Sequence, residues 1–130
     1  MIMPIGKDIN PTHAWVYQVF RKWAKDQTLK TKKPIIALYN EDPKTIEIRK
    51  DLFVLFGEKD VDWKGRLLRI HDSQQQRSIH SRRMGFDERI LSMNHLSWKR
   101  LHEISTLAVS SARYTEVFEI ELFDFTFPEG

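Results

Sequence analysis

Apolar residues recur at helical spacing at Trp15, Val16, Val19, Phe20 and Trp23, with Arg21, Lys22 and Lys25 taking the other side. That period predicts an amphipathic helix over 11–27, opened by Asn10 as N-cap and Pro11 at the first helical position. Its aromatic stripe is expected to pack into the core rather than to act as a stacking platform. Thr28 to Lys33 reads as a basic connector, and Pro34 forces a restart. Pro34 to Tyr39 reads as a short buried strand and Asn40 to Pro43 as a turn. Lys44 to Lys50 then alternates, with Ile46 and Ile48 on one face and Thr45, Glu47 and Arg49 on the other, the period of a strand.

Further along, Leu52 to Phe56 is apolar and Gly57 to Asp62 reads as a charged loop. Lys64 to His71 reads as another strand, with Leu67, Leu68 and Ile70 as its apolar residues. Asp72 to Gly85 has little periodicity and is expected to be an exposed loop carrying Arg77, His80, Arg82 and Arg83. One helix is expected over Asp87 to Met93. A second starts near Ser97, lined by Leu101, Ile104, Ser105 and Ala108. Tyr114 to Phe127 is the strongest strand. Phe118, Ile120 and Leu122 alternate with Glu119 and Glu121, and then Phe123, Phe125 and Phe127 alternate in the opposite phase, which asks for a bulge or bend. The pattern predicts an α+β fold: a small bent sheet or β-barrel with flanking helices.

With 130 residues the chain fits one domain, 1–130, with a barrel-like core over about 34–127. Hydrophobic residues at 41% supply that core, and charged residues at 30% supply a soluble surface. No apolar run approaches the roughly 20 residues that span a bilayer, and the opening Met1 to Asp8 is too short and too soon charged for a secretory signal. A cytoplasmic protein with no membrane partner is expected. The absence of cysteine excludes disulfides, thiolate catalysis and cysteine-ligated metal sites.

Charge changes the picture more than composition does. Residues 1–63 carry 11 basic and 9 acidic side chains, residues 64–100 carry 9 and 3, and residues 101–130 carry 1 and 6. A further basic cluster comprises Arg21, Lys22, Lys25, Lys30, Lys32 and Lys33. Basic stretches of this kind suit a polyanion, although basic and acidic segments facing each other across a solvated surface account for the same pattern.

Lys44-Thr-Ile-Glu-Ile-Arg49, followed by Gly65-Arg-Leu-Leu-Arg-Ile-His71, resembles the ASCH family of the PUA-like superfold. That family's motif runs glycine, any residue, lysine, two residues, glutamate, any residue, arginine, with a later strand closing a barrel. Lys44, Glu47 and Arg49 match the charged positions, whereas Asp42 stands where the glycine belongs. The resemblance implies a PUA-like barrel with a cleft for RNA or a modified nucleoside. It also implies possible hydrolase activity, of ribonuclease or nucleoside-amide type, with Lys44 and Glu47 as catalytic residues. Arg49, Arg77, Arg82, Arg83 and Trp63 would then bind substrate. Amidohydrolase relatives carry threonine where Glu47 stands, and the acidic residue before their last helix falls at Ser92-Met-Asn-His95 here.

Chemically, Lys44 works as a base only if desolvation or a neighbouring cation lowers its pKa, and Glu47 can accept a proton or hold a nucleobase amino group. Strict alternation puts Lys44 on the face opposite Glu47 and Arg49. A plain Glu47–Arg49 salt bridge accounts for the last two equally well. Trp63, in a charged loop, and Trp98, near a helix start, are candidates for base stacking or for packing across a barrel mouth. His95 and His102 lack a carboxylate third ligand, so neither a metal nor a cofactor is expected. RNA or a nucleoside is the expected partner, with DNA possible. A small non-enzymatic protein-interaction or inhibitor module is the alternative.

Overall fold

The computed structural model describes residues 2–7, 9–105 and 112–124. The chain divides into two compact units, one formed by Met1–Leu52 with Val117–Gly130 and the other by Phe53–Glu116. Among the described residues the fold is α+β, as expected. Four strands, β1 (Ile2–Pro4), β2 (Ile35–Asn40), β3 (Leu52–Phe56) and β4 (Tyr114–Phe123), form one mixed sheet in the order β1-β2-β4-β3. The sheet is open and does not close into a barrel.

In the first unit, helix α1 (Pro11–Thr31) begins as its sequence predicts. The Asn10 side chain accepts a hydrogen bond from the Thr12 N–H at 2.9 Å, and Pro11 follows at the first position. The helix runs one turn past 27, through the stretch expected to be a connector, and stops at Lys32. This residue adopts a left-handed conformation (φ 58°), and its N–H reaches the Thr28 carbonyl. Thr28 is buried and returns its hydroxyl to the Ala24 carbonyl, so the extra turn satisfies its own polar group.

β2 pairs parallel with β1 and antiparallel with β4, in a register that sets Ile35 against Phe123 and Asn40 against Phe118. The core joins Phe20 and Ala24 of α1 to Ile5, Ala37, Tyr39 and Phe123. Ala24 and Ala37 are fully buried, and two residues this small let a helix approach a sheet closely. Phe20 meets Phe123 edge to face, and Tyr17 meets Tyr39 the same way. Gly6 passes so close that a Cβ built on it runs into the Tyr17 ring. Gly6→Ala is therefore expected to cost about 1–3 kcal/mol by overpacking, read as a lower denaturant midpoint at unchanged slope.

The alternating stretch Lys44 to Lys50 is not a strand. Asp42 accepts the Lys44 N–H on its carboxylate at 2.7 Å and the Thr45 N–H on its carbonyl at 3.0 Å, and Pro43 sits between. These local bonds hold a tight turn in place of a ladder. Ile46 and Ile9 tie the turn to the residues before α1 through the Lys7 and Lys44 carbonyls. Downstream, Asp51 binds β4 through both its N–H, to the Phe118 carbonyl, and its carboxylate, which accepts the Ile120 N–H at 2.8 Å.

The second unit is mainly helical: α2 (Glu58–Ile70), α3 (Asp72–Arg82) and α4 (Phe86–Ile104), with β3 and the first residues of β4. Three expectations are corrected here. The charged loop and the strand expected over 57–71 are one helix, opened by Gly57 and given acidic residues Glu58 and Asp60 in its first turn. Its inward face is Val61, Lys64, Gly65 and Leu68, at i, i+3, i+4 and i+7, while Leu67 and Ile70 point outward. The expected loop over 72–85 holds α3. The two expected helices after Asp87 are one, because Ser97 is buried in the interior of α4 rather than capping a new start.

α4 has glycine at its N-cap, so a distant side chain does the capping. The Gln75 amide oxygen on α3 accepts the Phe86 N–H at 2.9 Å, while its amide nitrogen donates to Asp87 at 3.0 Å. Asp87 also accepts Arg69 of α2 at 2.8 Å, which ties the three helices together. Burial pushes the Asp87 carboxyl up, but the bonds from Gln75 and Arg69 outweigh it and hold it below the usual carboxylate range. Lys64 is a second hub. Its ammonium donates to Asn94 of α4 and Glu116 of β4 and lies over the Phe56 ring.

The phase change expected at Leu122 and Phe123 does not occur there: β4 pairs with β2 without a break from Phe118 to Phe123, and Thr115, Val117 and Phe123 are buried along one face, with Phe118 buried on the other. The face that carries Glu119 and Glu121 is therefore not the solvent face, as its composition suggested. Glu121 lies under α1 with Phe123, whereas Leu122 is exposed. The part of that strand expected over 125–127 lies outside the described residues.

Candidate functional site

The seven residues singled out in the sequence fall in different units. Lys44, Glu47 and Arg49 belong to the first; Trp63, Arg77, Arg82 and Arg83 belong to the second. The first three do not share a strand face. Glu47 is exposed and pairs loosely with Lys7 at 3.6 Å. Arg49 makes no pair with Glu47; it forks onto Asp51, with Nε 2.9 Å from both carboxylate oxygens, and donates through Nη2 to the Ile120 carbonyl. The Arg49 bonds hold the Asp51 carboxyl below its usual range, as does the Ile120 N–H. That guanidinium is thus committed to fastening the segment before β3. Lys44 contributes its backbone to the turn at Asp42, and its ammonium meets no partner recorded among the described residues.

The buried charge of the first unit lies elsewhere. Arg21 of α1 grips Glu121 of β4 with two bonds of 2.9 Å, and the fully buried Tyr39 hydroxyl donates to the same carboxylate at 2.5 Å. Burial pushes Glu121 up, and the bonds from Arg21 and Tyr39 bring it below the usual carboxylate range. Burial, and then the bond to Glu121, push the Tyr39 hydroxyl far up. A phenol held protonated and a carboxylate held ionised and doubly paired are poor acid–base catalysts near neutrality. This triad is a structural cross-link between helix and sheet.

The second unit carries the net positive charge and most of the arginines. It carries 11 basic and 8 acidic side chains against 10 of each in the first. Eight of the ten arginines are in it, and eight of the eleven lysines are in the first. Of those arginines, Arg69 is occupied by Asp87, whereas Arg66, Arg77, Arg82 and Arg83 are exposed and form no ion pair among the described residues. Arg77 and Arg82 lie on α3, whose only acidic residue is Asp72 in its first turn. Arg83 caps that helix in a left-handed conformation (φ 56°), its N–H on the Ile79 carbonyl. His80 and Arg82 fill the last turn, where the helix dipole favours cations. Beside them in sequence, α2 presents Trp63, 59% exposed, with Arg66, Leu67 and Ile70 at helical spacing on the same outward face.

Arg66 was not singled out in the sequence, and neither was an aromatic stack that crosses the second unit. Phe56 stacks on Tyr114, Tyr114 meets His95, and Trp98 lies between the imidazoles of His95 and His102 at 5.8 and 5.1 Å, with planes within 15°. A continuous helix across Ser97 is what puts these three side chains on one face. His95 Nδ1 lies 2.7 Å from the Arg113 carbonyl, which only accepts, so Nδ1 carries the proton. Trp98 is thereby a packing residue. Among the described residues no cluster of three or more histidine, aspartate or glutamate side chains is placed to hold a metal ion. No protein-family model matches the chain, and neither a curated protein nor a solved structure does.

Proposed function

We propose that the protein binds single-stranded RNA through the outward surface of α2 and α3, without hydrolysing it. The observation that carries this reading is the set of exposed arginines without carboxylate partners, Arg66, Arg77, Arg82 and Arg83, together with an exposed tryptophan, Trp63, one helical turn from Arg66. Guanidinium forks suit phosphate oxygens, and an indole offers a face to an unpaired base. The hydrolytic role that the ASCH resemblance implies for Lys44 and Glu47 has no such support, since Glu47 engages Lys7 and Arg49 is spent on Asp51.

Arg83 strengthens the case from the side of stability. A left-handed cap is where glycine is least strained, and any side chain there costs roughly 1 kcal/mol. An arginine that is unfavourable to the fold at its own position is explained if its side chain has an external task. The test is fluorescence anisotropy with a labelled single-stranded RNA at two salt concentrations, on wild type and Arg83→Gly. Arg83→Gly is expected to raise stability by about 0.5–1 kcal/mol and to weaken RNA binding several-fold. A more stable variant that binds RNA as well as wild type overturns the assignment of Arg83. Affinity that is indifferent to salt overturns the polyanion reading in favour of an apolar protein interface.

A further inference from the structure

The aromatic stripe of α1, expected to pack inward, divides: Phe20 is in the core, whereas Trp15, Val19 and Trp23 are exposed. Phe20, Ala24 and Thr28 face inward, but Trp15 is 66% and Trp23 44% exposed, with Val19 between them. The three sit at i, i+4 and i+8, an inclined ridge that rises about 12 Å along the axis from Trp15 to Trp23 and turns about 80° round it. Leu29 extends the exposed apolar surface towards the C-terminal end. Lys22, Lys30 and Lys33 flank or follow the ridge, all exposed, and Asp26 is the only acidic residue between 11 and 33. The inward face of the same helix is fully used by the sheet.

We propose that this ridge docks along its length on an anionic lipid surface. Three features favour a bilayer over the other occupants of an apolar face. The surface is the convex outside of a helix, which offers no pocket for a partner's anchoring side chains, whereas headgroups and upper acyl chains yield around a ridge. Its large residues are tryptophans, whose amphipathic rings belong at the membrane–water boundary. Its cations are lysines, whose long stems lie along apolar surface while the ammonium reaches lipid phosphate. The arginines, suited to forked contacts, are concentrated in the other unit.

No helix among the described residues is long and apolar enough to cross a membrane. The expectation of no membrane partner rested on the lack of such a span, and it says nothing of a helix lying flat. Nor does the proposal depend on RNA binding, which uses residues of the second unit.

The test is co-sedimentation with vesicles of phosphatidylcholine and phosphatidylglycerol in equal parts, against phosphatidylcholine alone. Wild type is expected to pellet with the anionic vesicles and to be released by salt. Trp15→Ser with Trp23→Ser should reduce that affinity on the order of a hundredfold, because it removes the area that the lipid would bury. Both side chains are exposed, so the pair should fold, as circular dichroism would verify. Lys22→Gln, Lys30→Gln and Lys33→Gln should each weaken binding about fivefold and leave folding untouched. The proposal is overturned if wild type ignores anionic vesicles, or if the tryptophan pair pellets as wild type does. It is equally overturned if the pair instead abolishes a dimer seen by ultracentrifugation, or weakens RNA binding with no vesicle binding to lose.

Discussion

Glu121→Gln is expected to lower the stability of the protein by about 2 kcal/mol, and Glu121→Ala by about 3–4 kcal/mol. The carboxylate carries three hydrogen bonds, two from Arg21 and one from Tyr39, whose hydroxyl has no access to solvent. Glutamine keeps the volume and can still accept from Tyr39, so its cost is an Arg21 guanidinium left without its counter-ion. Removing one partner of a fully buried pair costs roughly 3–5 kcal/mol, but Arg21 and Glu121 keep 31% and 27% of their side chains exposed, which discounts the figure. Alanine adds an orphaned phenol, worth a further 1–3 kcal/mol or so, and the void left beneath α1. At about 4 °C per kcal/mol, the glutamine variant should melt roughly 8 °C lower.

The same substitution should change how stability responds to acid. Glu121 is held below its ordinary pKa in the folded state, so the unfolded chain binds its proton first as pH falls. Its stabilising contribution is complete above the unfolded pKa, about 4.3, and is lost as pH falls through the folded value. Asp87, also held low, acts in the same direction in the second unit. Wild type should therefore lose stability below about pH 5, and Glu121→Gln should lose less over that range because its part is already gone. Urea midpoints measured from pH 7 down to pH 3 would show this as two converging curves. Parallel curves would mean that the carboxylate is not the ionised partner of Arg21.

Where sequence and structure agree, a local signal and the tertiary environment point the same way. Asn10-Pro11 caps α1, Ile35 to Asn40 is a strand, and Tyr114 onward is a strand. Where they differ, the deciding partner is remote. Lys44 to Lys50 alternates like a strand, but Asp42 supplies side-chain and carbonyl acceptors that no ladder has to match. Leu67, Leu68 and Ile70 look like a strand because the helix there exposes two of them; its inward face includes Lys64 and Gly65, which a hydrophobicity pattern passes over. α3 has almost no apolar face, and its order comes from Gln75 capping α4 and from Ser78 donating to the Met84 carbonyl.

The site was legible in composition but not in geometry. Arg77, Arg82 and Arg83 stand out in the chain as a basic cluster, and they are exposed. Lys44, Glu47 and Arg49 stand out as a motif, yet Lys7 and Asp51 take the partners that the motif needs. The tryptophans were least legible of all. Helical spacing marks Trp15, Val19 and Trp23 as one face but does not say which side of the helix meets the sheet. The small buried residues Ala24 and Thr28 decide that, and apolar periodicity gives them little weight.

Arg77→Ala, Arg82→Ala and Arg83→Ala together should weaken binding of single-stranded RNA on the order of a hundredfold at low salt, about 1 kcal/mol for each exposed cation. The slope of log K against log salt should fall by about 2, since each phosphate contact on a single strand contributes roughly 0.7. Stability should stay within about 0.5 kcal/mol, because these side chains make no ion pair among the described residues, alanine is a good helix former at 77 and 82, and alanine is strained no more than arginine at the left-handed position 83. The matching control is Lys22→Gln, Lys30→Gln and Lys33→Gln, which removes the same charge from the first unit. If net charge alone drew the RNA, the two triple variants would lose affinity equally and the assignment to α3 would fail. If the arginines form the contact surface, only their variant loses both affinity and slope. A deficit for Trp63→Ala that survives high salt would then mark a stacking contact on α2.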